Sequence, residues 1–315
     1  MLSIGIDIGG TKILGALVDA QGKIVSELRV PSPAQDPDQM VDTVVGLIES
    51  LTESATDVIA GVGVAAAGFI DADQSHILYA PNLNWRNEPL KDRLQARVSH
   101  SVVIENDANA AGWAEYKFGA GRGVKDMVML TLGTGVGGAV IADYKLRRGG
   151  FGMAGELGHV RVVQDGRQCG CGKKGCVEQY ASGTAVLRAA KKLAASDGPI
   201  GQRLRELSAG SELTGHHVYA ALLESDPGAL SVVRTAADYL AQAMGTITSV
   251  IDPQIYVIGG GLSEAGELIL DPIREALGSN LIAKGFRPEP KVVGATFSNQ
   301  AGVIGAADLA RESIG

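Results

Sequence analysis

The sequence lacks the long apolar runs and the excess of basic residues that mark several large classes of protein. No apolar run approaches the roughly 18 residues that span a bilayer, and residues 1–5, MLSIG, lack the basic stretch and apolar block of a signal peptide. A net charge of −7 argues against nucleic acid or an anionic membrane as a partner. We therefore expect a cytoplasmic protein. A small phosphorylated ligand fits this charge, because backbone amides and a magnesium ion bind phosphate without a basic surface.

Cysteine is also scarce, and the three cysteines, Cys169, Cys171 and Cys176, lie close together in the chain. An odd, clustered set in a reducing compartment favours metal ligation or redox chemistry over a structural disulfide. With His159 they supply one imidazole and three thiolates, a complete tetrahedral ligand set for zinc. Because four protein ligands leave no position open for water, the site is predicted to be structural. The alternative is a set of free surface thiols.

The rest of the chain is long and apolar enough for more than one core. Its 315 residues, 45% of them hydrophobic, exceed the roughly 250 to 300 residues at which a single core stops growing. Predicted strands and helices alternate, which indicates an α/β fold with helices on both faces of mixed sheets. The segment 196–214 is polar and is predicted to be a surface insertion. The predicted helices are 40–51, 108–118, 181–195, 228–250 and 302–311.

Each half of the chain opens with a strand, a turn rich in Gly and Thr, and a returning strand. The first turn reads Asp7-x-Gly9-Gly10-Thr11-Lys12 and the second reads Gly133-Thr134-Gly135-x-Gly137. Residues that tolerate positive φ and carry little side chain let a turn direct its N–H groups at phosphate. The carboxylate of Asp7 suits a hydrated magnesium ion. The alternative is that both turns are ordinary hairpins without a ligand. A third glycine run after a strand, Gly259-Gly260-Gly261, makes this alternative less plausible.

Two other nucleotide-binding patterns are excluded. Neither glycine turn opens a helix after its strand, as a dinucleotide-binding Rossmann site requires. The Gly-x-x-x-x-Gly-Lys-Ser/Thr pattern of the P-loop is absent. The remaining interpretation is a nucleotide clamped between two domains.

Asp107 follows the predicted buried strand 102–104, at the position where an α/β sheet normally presents its ligands. A carboxylate there can accept the proton of an attacking hydroxyl during phosphoryl transfer. The alternative role of Asp107 is to cap the helix that follows it. Trp85 is predicted to pack in the core rather than on a sugar ring.

The order of these motifs resembles the ROK family of repressors, open reading frames and sugar kinases, and the resemblance covers nearly the whole chain. Within the family the chain is most similar to the bacterial ATP-dependent glucokinases. The resemblance implies an actin-like ATPase (ribonuclease H-like) fold, with two α/β domains around a cleft. It also implies transfer of the γ-phosphoryl group of Mg-ATP to the 6-hydroxyl of glucose. The segments that carry the resemblance are 7–12, 105–107, 132–138, 155–159, 169–176 and 178–183.

The family's motifs also imply roles for individual residues. Asp107 is implied to be the catalytic base, and His159 to hold Zn²⁺ through one ring nitrogen while the other faces the sugar. The implied sugar contacts are Asn106, Asp107, Glu156, His159 and Glu178, with Gly68 and Asn82 as further candidates. The implied contacts to Mg-ATP are Asp7, Gly9, Gly10, Thr11, Lys12, Gly133, Thr134, Gly135, Gly137, Gly260 and Gly261. The metal ligands are His159, Cys169, Cys171 and Cys176.

The expected domains are a small one, 1–118 with 300–315, and a large one, 119–299. The family implies a homodimer or homotetramer. Alternatives within the enzyme class are a kinase for mannose, fructose or an N-acetylated amino sugar, or one that uses polyphosphate as donor. Alternatives outside it are a sugar-responsive repressor and an actin-like chaperone or filament ATPase. The first turn begins at Asp7, which leaves no room for the helix-turn-helix segment of the repressors.

Overall fold

The computed structural model describes residues 1–80, 83–196 and 198–313. The chain divides into two compact units. Unit 1 comprises residues 1–128, 139–155 and 296–313, and unit 2 comprises residues 129–138 and 156–295. Both units mix strands with helices, as the alternation in the sequence predicts. Among the described residues no helix is long and apolar enough to cross a membrane.

The secondary structure of the described residues follows in chain order. The strands are β1 (Leu2–Ile8), β2 (Lys12–Val18), β3 (Ile24–Pro31), β4 (Ile59–Ala66), β5 (Phe69–Ile70), β6 (Ile77–Ala80), β7 (Trp85–Glu88), β8 (Val102–Asn106), β9 (Met127–Leu132), β10 (Val136–Ala142), β11 (Lys145–Leu146), β12 (Ile255–Gly259) and β13 (Lys291–Gly294). The helices are α1 (Pro37–Ser54), α2 (Leu90–Gln95), α3 (Asp107–Lys117), α4 (Glu178–Ala181), α5 (Gly183–Ala194), α6 (Gln202–Ser208), α7 (Gly215–Leu223), α8 (Pro227–Ile251), α9 (Glu267–Asn280) and α10 (Ala301–Glu312).

Unit 1 is built on a five-stranded sheet with the order β3-β2-β1-β4-β8. Strand β1 pairs antiparallel with β2, whereas β1, β4 and β8 run parallel. Parallel strands place their carboxyl ends at one edge of a sheet. The register pairs Asp7 with Ala65 and Ala65 with Glu105, so the ends of β1 and β8 stand level with each other.

Helix α10 packs directly on this sheet because glycines on two strands leave room for its backbone. A Cβ at Gly5 would lie 1.9 Å from the carbonyl oxygen of Val303, and a Cβ at Gly63 would lie 1.8 Å from that of Ala306. Helix α10 also packs on α3. The helix that begins at Asp107 is therefore held at a fixed height above the sheet.

Helices α1 and α2 also belong to unit 1, and α1 turns an apolar face to the core. Met40, Val44 and Leu51 on that face are fully buried. Trp85 belongs to the same core cluster and is 0% exposed. The prediction that Trp85 packs in the core is confirmed.

A second five-stranded sheet has the order β11-β10-β9-β12-β13, with β12 and β13 parallel. Helices α4 to α9 all belong to unit 2. The helix predicted over 181–195 is confirmed as α5, which begins two residues later because Ser182 is extended and its side chain accepts a hydrogen bond from the N–H of Ala185. The polar segment 196–214 contains α6.

Candidate active site and metal centre

Two carboxylates stand at the carboxyl edge of the sheet in unit 1. Burial raises the pKa of Asp7 from 3.8 to about 7, helped by the negative charge of Asp107 and opposed by Lys12. Burial also raises the pKa of Asp107, although the N–H of Ala108 donates to its Oδ1 at 2.9 Å. The carboxylate of Asp7 lies against Gly302 of α10, where a Cβ would stand 2.8 Å from its Oδ2. Close carboxylates with raised pKa values can bind a cation or accept a proton.

The residue that caps α3 is Asn106, not Asp107. The side-chain oxygen of Asn106 accepts from the N–H of Asn109 at 3.0 Å, and Asp107 is the first residue of the helix. The capping alternative for Asp107 is therefore wrong, because its neighbour fills that position. The side-chain nitrogen of Asn106 donates to the carbonyl oxygen of Gly68 at 3.2 Å, which brings two predicted sugar contacts together.

Gly68 requires glycine, since its φ is 144° and a Cβ would lie 2.8 Å from the carbonyl oxygen of Tyr79. Asn82, the other further candidate for a sugar contact, lies outside the described residues. The first glycine turn closes with the N–H of Gly9 donating to the carbonyl oxygen of Lys12 at 3.0 Å. The remaining predicted phosphate contacts of this turn, Gly10 and Thr11, are exposed.

Glu105, for which the sequence predicted no role, is a buried carboxylate that accepts several hydrogen bonds. It is 3% exposed and accepts from Nε of Arg148 at 2.6 Å, from Nδ2 of Asn109 at 3.0 Å and from Nε2 of Gln74 at 3.1 Å. These hydrogen bonds fix the backbone at the end of β8, directly before Asp107. The one available signal was an acidic residue at the end of a strand that is otherwise apolar.

The predicted metal ligands converge in unit 2. The ligand atoms of His159, Cys169, Cys171 and Cys176 all lie within 4.8 Å of one another. Cys169 Sγ is 3.6 Å from His159 Nδ1, and Cys171 Sγ is 3.7 Å from Cys176 Sγ. Zinc–sulfur bonds of about 2.3 Å in a tetrahedron give sulfur–sulfur separations of about 3.8 Å, so the four side chains fit a zinc ion.

The environment of these thiols also bears on metal binding. Burial raises the pKa of Cys176 to about 12, helped by hydrogen bonding between its thiol and the sulfurs of Cys171 and Cys169. A metal ion must displace the proton of such a thiol to bind it. Metal binding is therefore coupled to proton release at this centre.

Two carboxylates flank the metal ligands. His159 presents Nδ1 to Cys169, while its Nε2 is 3.8 Å from Glu156 Oε2. Glu178 Oε1 is 3.6 Å from Cys169 Sγ, and Glu178 Oε2 accepts from the N–H of Val136 at 3.2 Å. The structure thus brings Glu156, His159 and Glu178 to one place, with the two ring nitrogens of His159 facing different partners.

The second glycine turn needs glycine for a different reason from the one the sequence suggested. Gly9, Gly133 and Gly135 do not take positive φ, so the conformational argument is wrong for both turns. Gly135 is instead a point of close approach, because a Cβ there would lie 2.4 Å from Oε2, at the end of the Glu178 side chain. Positive φ occurs at Gly260, where φ is 82° and a Cβ would lie 2.6 Å from the backbone of Leu132.

A cavity of about 750 Å³ opens beside this turn in unit 2. Its lining includes Gly133, Thr134 and Gly261 from the predicted phosphate contacts. The other lining side chains were not predicted from the sequence, and they come from helices α5 and α7 and from the segment after β12. They include Leu187, His216, Tyr219 and Leu262.

Comparison with known proteins places these features in a family. The sequence model of the ROK family matches residues 3–313. A glucokinase of Streptomyces coelicolor is 44% identical over 313 residues, covering 99% of this chain and 98% of that protein. The crystal structure of a ROK family glucokinase from Streptomyces griseus in complex with glucose and AMPPNP matches with a TM-score of 0.89 and 44% identity, covering 99% of this chain and 100% of that one. The xylose repressor of Bacillus subtilis is 30% identical over 286 residues, covering 90% of this chain and 70% of the repressor.

The α/β units and their glycine turns define a protein with the actin-like ATPase fold, which is the fold of the ROK glucokinase structures. Within that class, the chain belongs to the ROK family. The fold class and the family predicted from the sequence are both confirmed.

Proposed function

We propose that the protein is an ATP-dependent glucokinase, which transfers the γ-phosphoryl group of Mg-ATP to the 6-hydroxyl of glucose. The observation that carries this proposal is the pair of carboxylates, Asp7 and Asp107, at the carboxyl edge of the unit 1 sheet, both with raised pKa values. The 44% identity to the S. coelicolor glucokinase and to the S. griseus enzyme that holds glucose and AMPPNP supports it.

Asp107 is proposed to accept the proton of the 6-hydroxyl as that oxygen attacks. Phosphoryl transfer depends mainly on positioning and charge stabilisation, so one correctly placed carboxylate suffices as a base. A raised pKa makes the ionised form of Asp107 a better proton acceptor than an ordinary aspartate. The buried network around Glu105 holds the backbone that carries Asp107.

Each unit carries polar groups that are proposed to contact the sugar. Asn106, with Gly68 behind it, presents an amide beside Asp107. Glu156, His159 and Glu178 present carboxylates and an imidazole, which can each accept or donate to sugar hydroxyls. A bound zinc ion would supply no reaction step, only a fixed position and tautomer for His159.

The nucleotide is proposed to lie along the glycine turns. The 750 Å³ cavity combines apolar side chains such as Leu187 and Leu262 with polar groups of Thr134, His216 and Tyr219, which suits a base and its ribose. Gly133 and Gly261 at the cavity wall would approach the phosphates. Asp7 would hold the hydrated magnesium ion, with Gly9, Gly10, Thr11 and Lys12 near the terminal phosphate.

Several features stay predictions from the sequence and its family. These are the structural role of zinc, the homodimeric or homotetrameric state and the cytoplasmic location. The division into domains 1–118 with 300–315 and 119–299 is also a prediction.

The proposed function is tested by ADP release in a coupled assay with glucose, mannose, fructose and N-acetylglucosamine, each with ATP and with polyphosphate. We expect the highest kcat/KM for glucose with ATP. A higher value for another hexose would replace the substrate and keep the reaction. Sugar binding without ADP release from any of the four would contradict a kinase and favour a sugar-responsive regulator.

A further inference from the structure

The loop that carries the metal ligands packs on the second glycine turn, and both lie in unit 2. We call residues 156–178 the metal loop and residues 133–137 the second phosphate turn. Val136 lies near the end of that turn, as the first residue of β10, and is buried. Its N–H and its carbonyl oxygen are both contacted by residues of the metal loop.

The first contact involves Glu178, which lies two residues after the metal ligand Cys176. Its Oε2 accepts from the N–H of Val136 at 3.2 Å and lies so close to Gly135 that a Cβ there would be 2.4 Å away. Its other oxygen, Oε1, faces Cys169 Sγ at 3.6 Å. One carboxylate therefore spans the metal ligands and the phosphate turn.

The second contact involves Gly158, which directly precedes the metal ligand His159. A Cβ at Gly158 would lie 2.0 Å from the carbonyl oxygen of Val136, so only glycine lets the two backbones approach this closely. Gly158 does not take positive φ, so close approach alone accounts for glycine here.

The third contact continues the metal loop into the nucleotide cavity. Helix α5 begins five residues after Glu178, and the N–H of its first residue, Gly183, donates to the carbonyl oxygen of Gly133 at 2.8 Å. Gly133 and Gly183 both line the 750 Å³ cavity. The turn is thus held at Gly133 and at Val136 by segments that flank the metal centre.

We propose that the metal centre sets the position of the second phosphate turn. Glu178 and Gly158 are then positioning residues for nucleotide binding. Metal occupancy controls the affinity for nucleotide in the absence of sugar. A metal ion ties His159 to Cys176 and hence holds Gly158 and Glu178 on either side of Val136. This inference rests on the proposed function in one respect, namely that the second turn binds nucleotide phosphate.

The test is titration with Mg-ADP, without sugar, of the metal-loaded protein and its variants. Glu178→Ala leaves the N–H of Val136 without its acceptor, and we expect roughly tenfold weaker Mg-ADP binding, the size of one lost hydrogen bond. Glu178→Gln keeps a carbonyl oxygen for that N–H, so its Mg-ADP affinity should stay near the parent value. If Glu178 serves the sugar alone, neither variant changes Mg-ADP binding, and the proposal is overturned.

A second pair of variants probes the turn without altering any side chain that faces a ligand. Gly158→Ala forces a methyl group against the carbonyl oxygen of Val136 and should weaken Mg-ADP binding. Gly170→Ala is the matched control, since Gly170 lies between two cysteines of the same loop, its φ is not positive, and a Cβ there meets nothing within 4 Å. Equal Mg-ADP affinities for these two variants would contradict the proposal. Circular dichroism checks that each variant is folded.

Metal removal gives an independent readout. The protein is stripped with a chelator, freed of chelator by gel filtration, checked by elemental analysis and titrated with Mg-ADP before and after zinc is restored. We expect weaker binding without metal and recovery with it, and equal affinities would overturn the proposal. Glucose phosphorylation by the parent protein is measured in parallel. If the parent protein phosphorylates glucose but its Mg-ADP affinity does not depend on the metal, the proposed coupling is wrong and the proposed function stands. If the parent is inactive but its Mg-ADP affinity depends on the metal, the proposed function is wrong and the coupling stands.

Discussion

Asp107 combines a buried carboxylate, a raised pKa and a position at the start of α3. Asp107→Asn keeps an oxygen for the N–H of Ala108 but removes the basic group. We expect kcat to fall by about 10² to 10⁴, the usual contribution of a general base, with the dissociation constant for glucose little changed. Asp92→Asn, in the first turn of α2 and exposed, is the matched control. Turnover of Asp107→Asn within a few-fold of the parent would remove Asp107 from the base role.

Asp7 should make the stability of the magnesium-free protein depend on pH. Its folded-state pKa of about 7 lies above its ordinary value of 3.8, so the stabilising contribution of the protonated form is complete below about pH 4 and is lost as pH rises through 7. Asp7→Asn removes this loss. The variant should therefore gain stability relative to the parent between pH 4.5 and pH 8, by up to about 4 kcal/mol at 1.36 kcal/mol per pKa unit.

This figure is an upper limit, because the Asp7 side chain keeps part of its surface exposed to solvent and lies near Lys12. The measurement is urea unfolding of both proteins at the two pH values in buffer without magnesium. The same difference in free energy of unfolding at both values would show that Asp7 is not the source of the pH dependence.

At the level of single residues, the sequence predicted chemistry better than it predicted contacts. The type and spacing of His159 and the three cysteines were enough to predict a shared ligand set, because thiolates and imidazole have few other reasons to cluster. The capping alternative named Asp107 and not its neighbour Asn106, because Asn and Asp are equally good capping residues and only the backbone conformation distinguishes them. The role of Glu105 was missed because its partners Arg148 and Gln74 are distant in the sequence.

Among the elements, α10 depends most directly on glycine. Gly63→Ala would place a methyl group against the carbonyl oxygen of Ala306 and push α10 off the sheet. We expect a loss of about 1 to 3 kcal/mol in the free energy of unfolding, as for overpacked cores, with reduced activity because α10 carries Gly302 beside Asp7. Gly46→Ala in α1 is the control: a Cβ there meets nothing within 4 Å, and alanine should stabilise a helix interior by about 1 kcal/mol. Urea unfolding measures both, and two changes of the same sign would contradict this account.

The helices and strands were easier to predict than the cavity they form. Residues 40–51 and 228–250 were predicted as helices from apolar periodicity, and both lie within longer helices, α1 and α8. The helix predicted from residue 181 begins two residues later, at Gly183, because Ser182 caps α5. His216 and Tyr219 of α7 line the nucleotide cavity, and no local pattern shows that α7 lies beside a turn at residue 133.

For the whole molecule, the metal centre is the feature whose loss should reach furthest. Cys171 is exposed, with its Sγ 3.7 Å from that of Cys176, so Cys171→Ala removes one ligand without opening a cavity in the core. We expect elemental analysis to show loss of metal. We also expect the KM for glucose to rise more than kcat falls, because in the proposed structural role a bound metal would position His159 and its neighbours and take no part in the transfer step. Lys173→Ala, exposed in the same loop, should keep both metal and kinetics. Complete loss of metal with an unchanged KM would show that the metal does not position the sugar contacts. A fall in kcat alone would indicate that the metal takes part in the reaction, which a site with four protein ligands should not do.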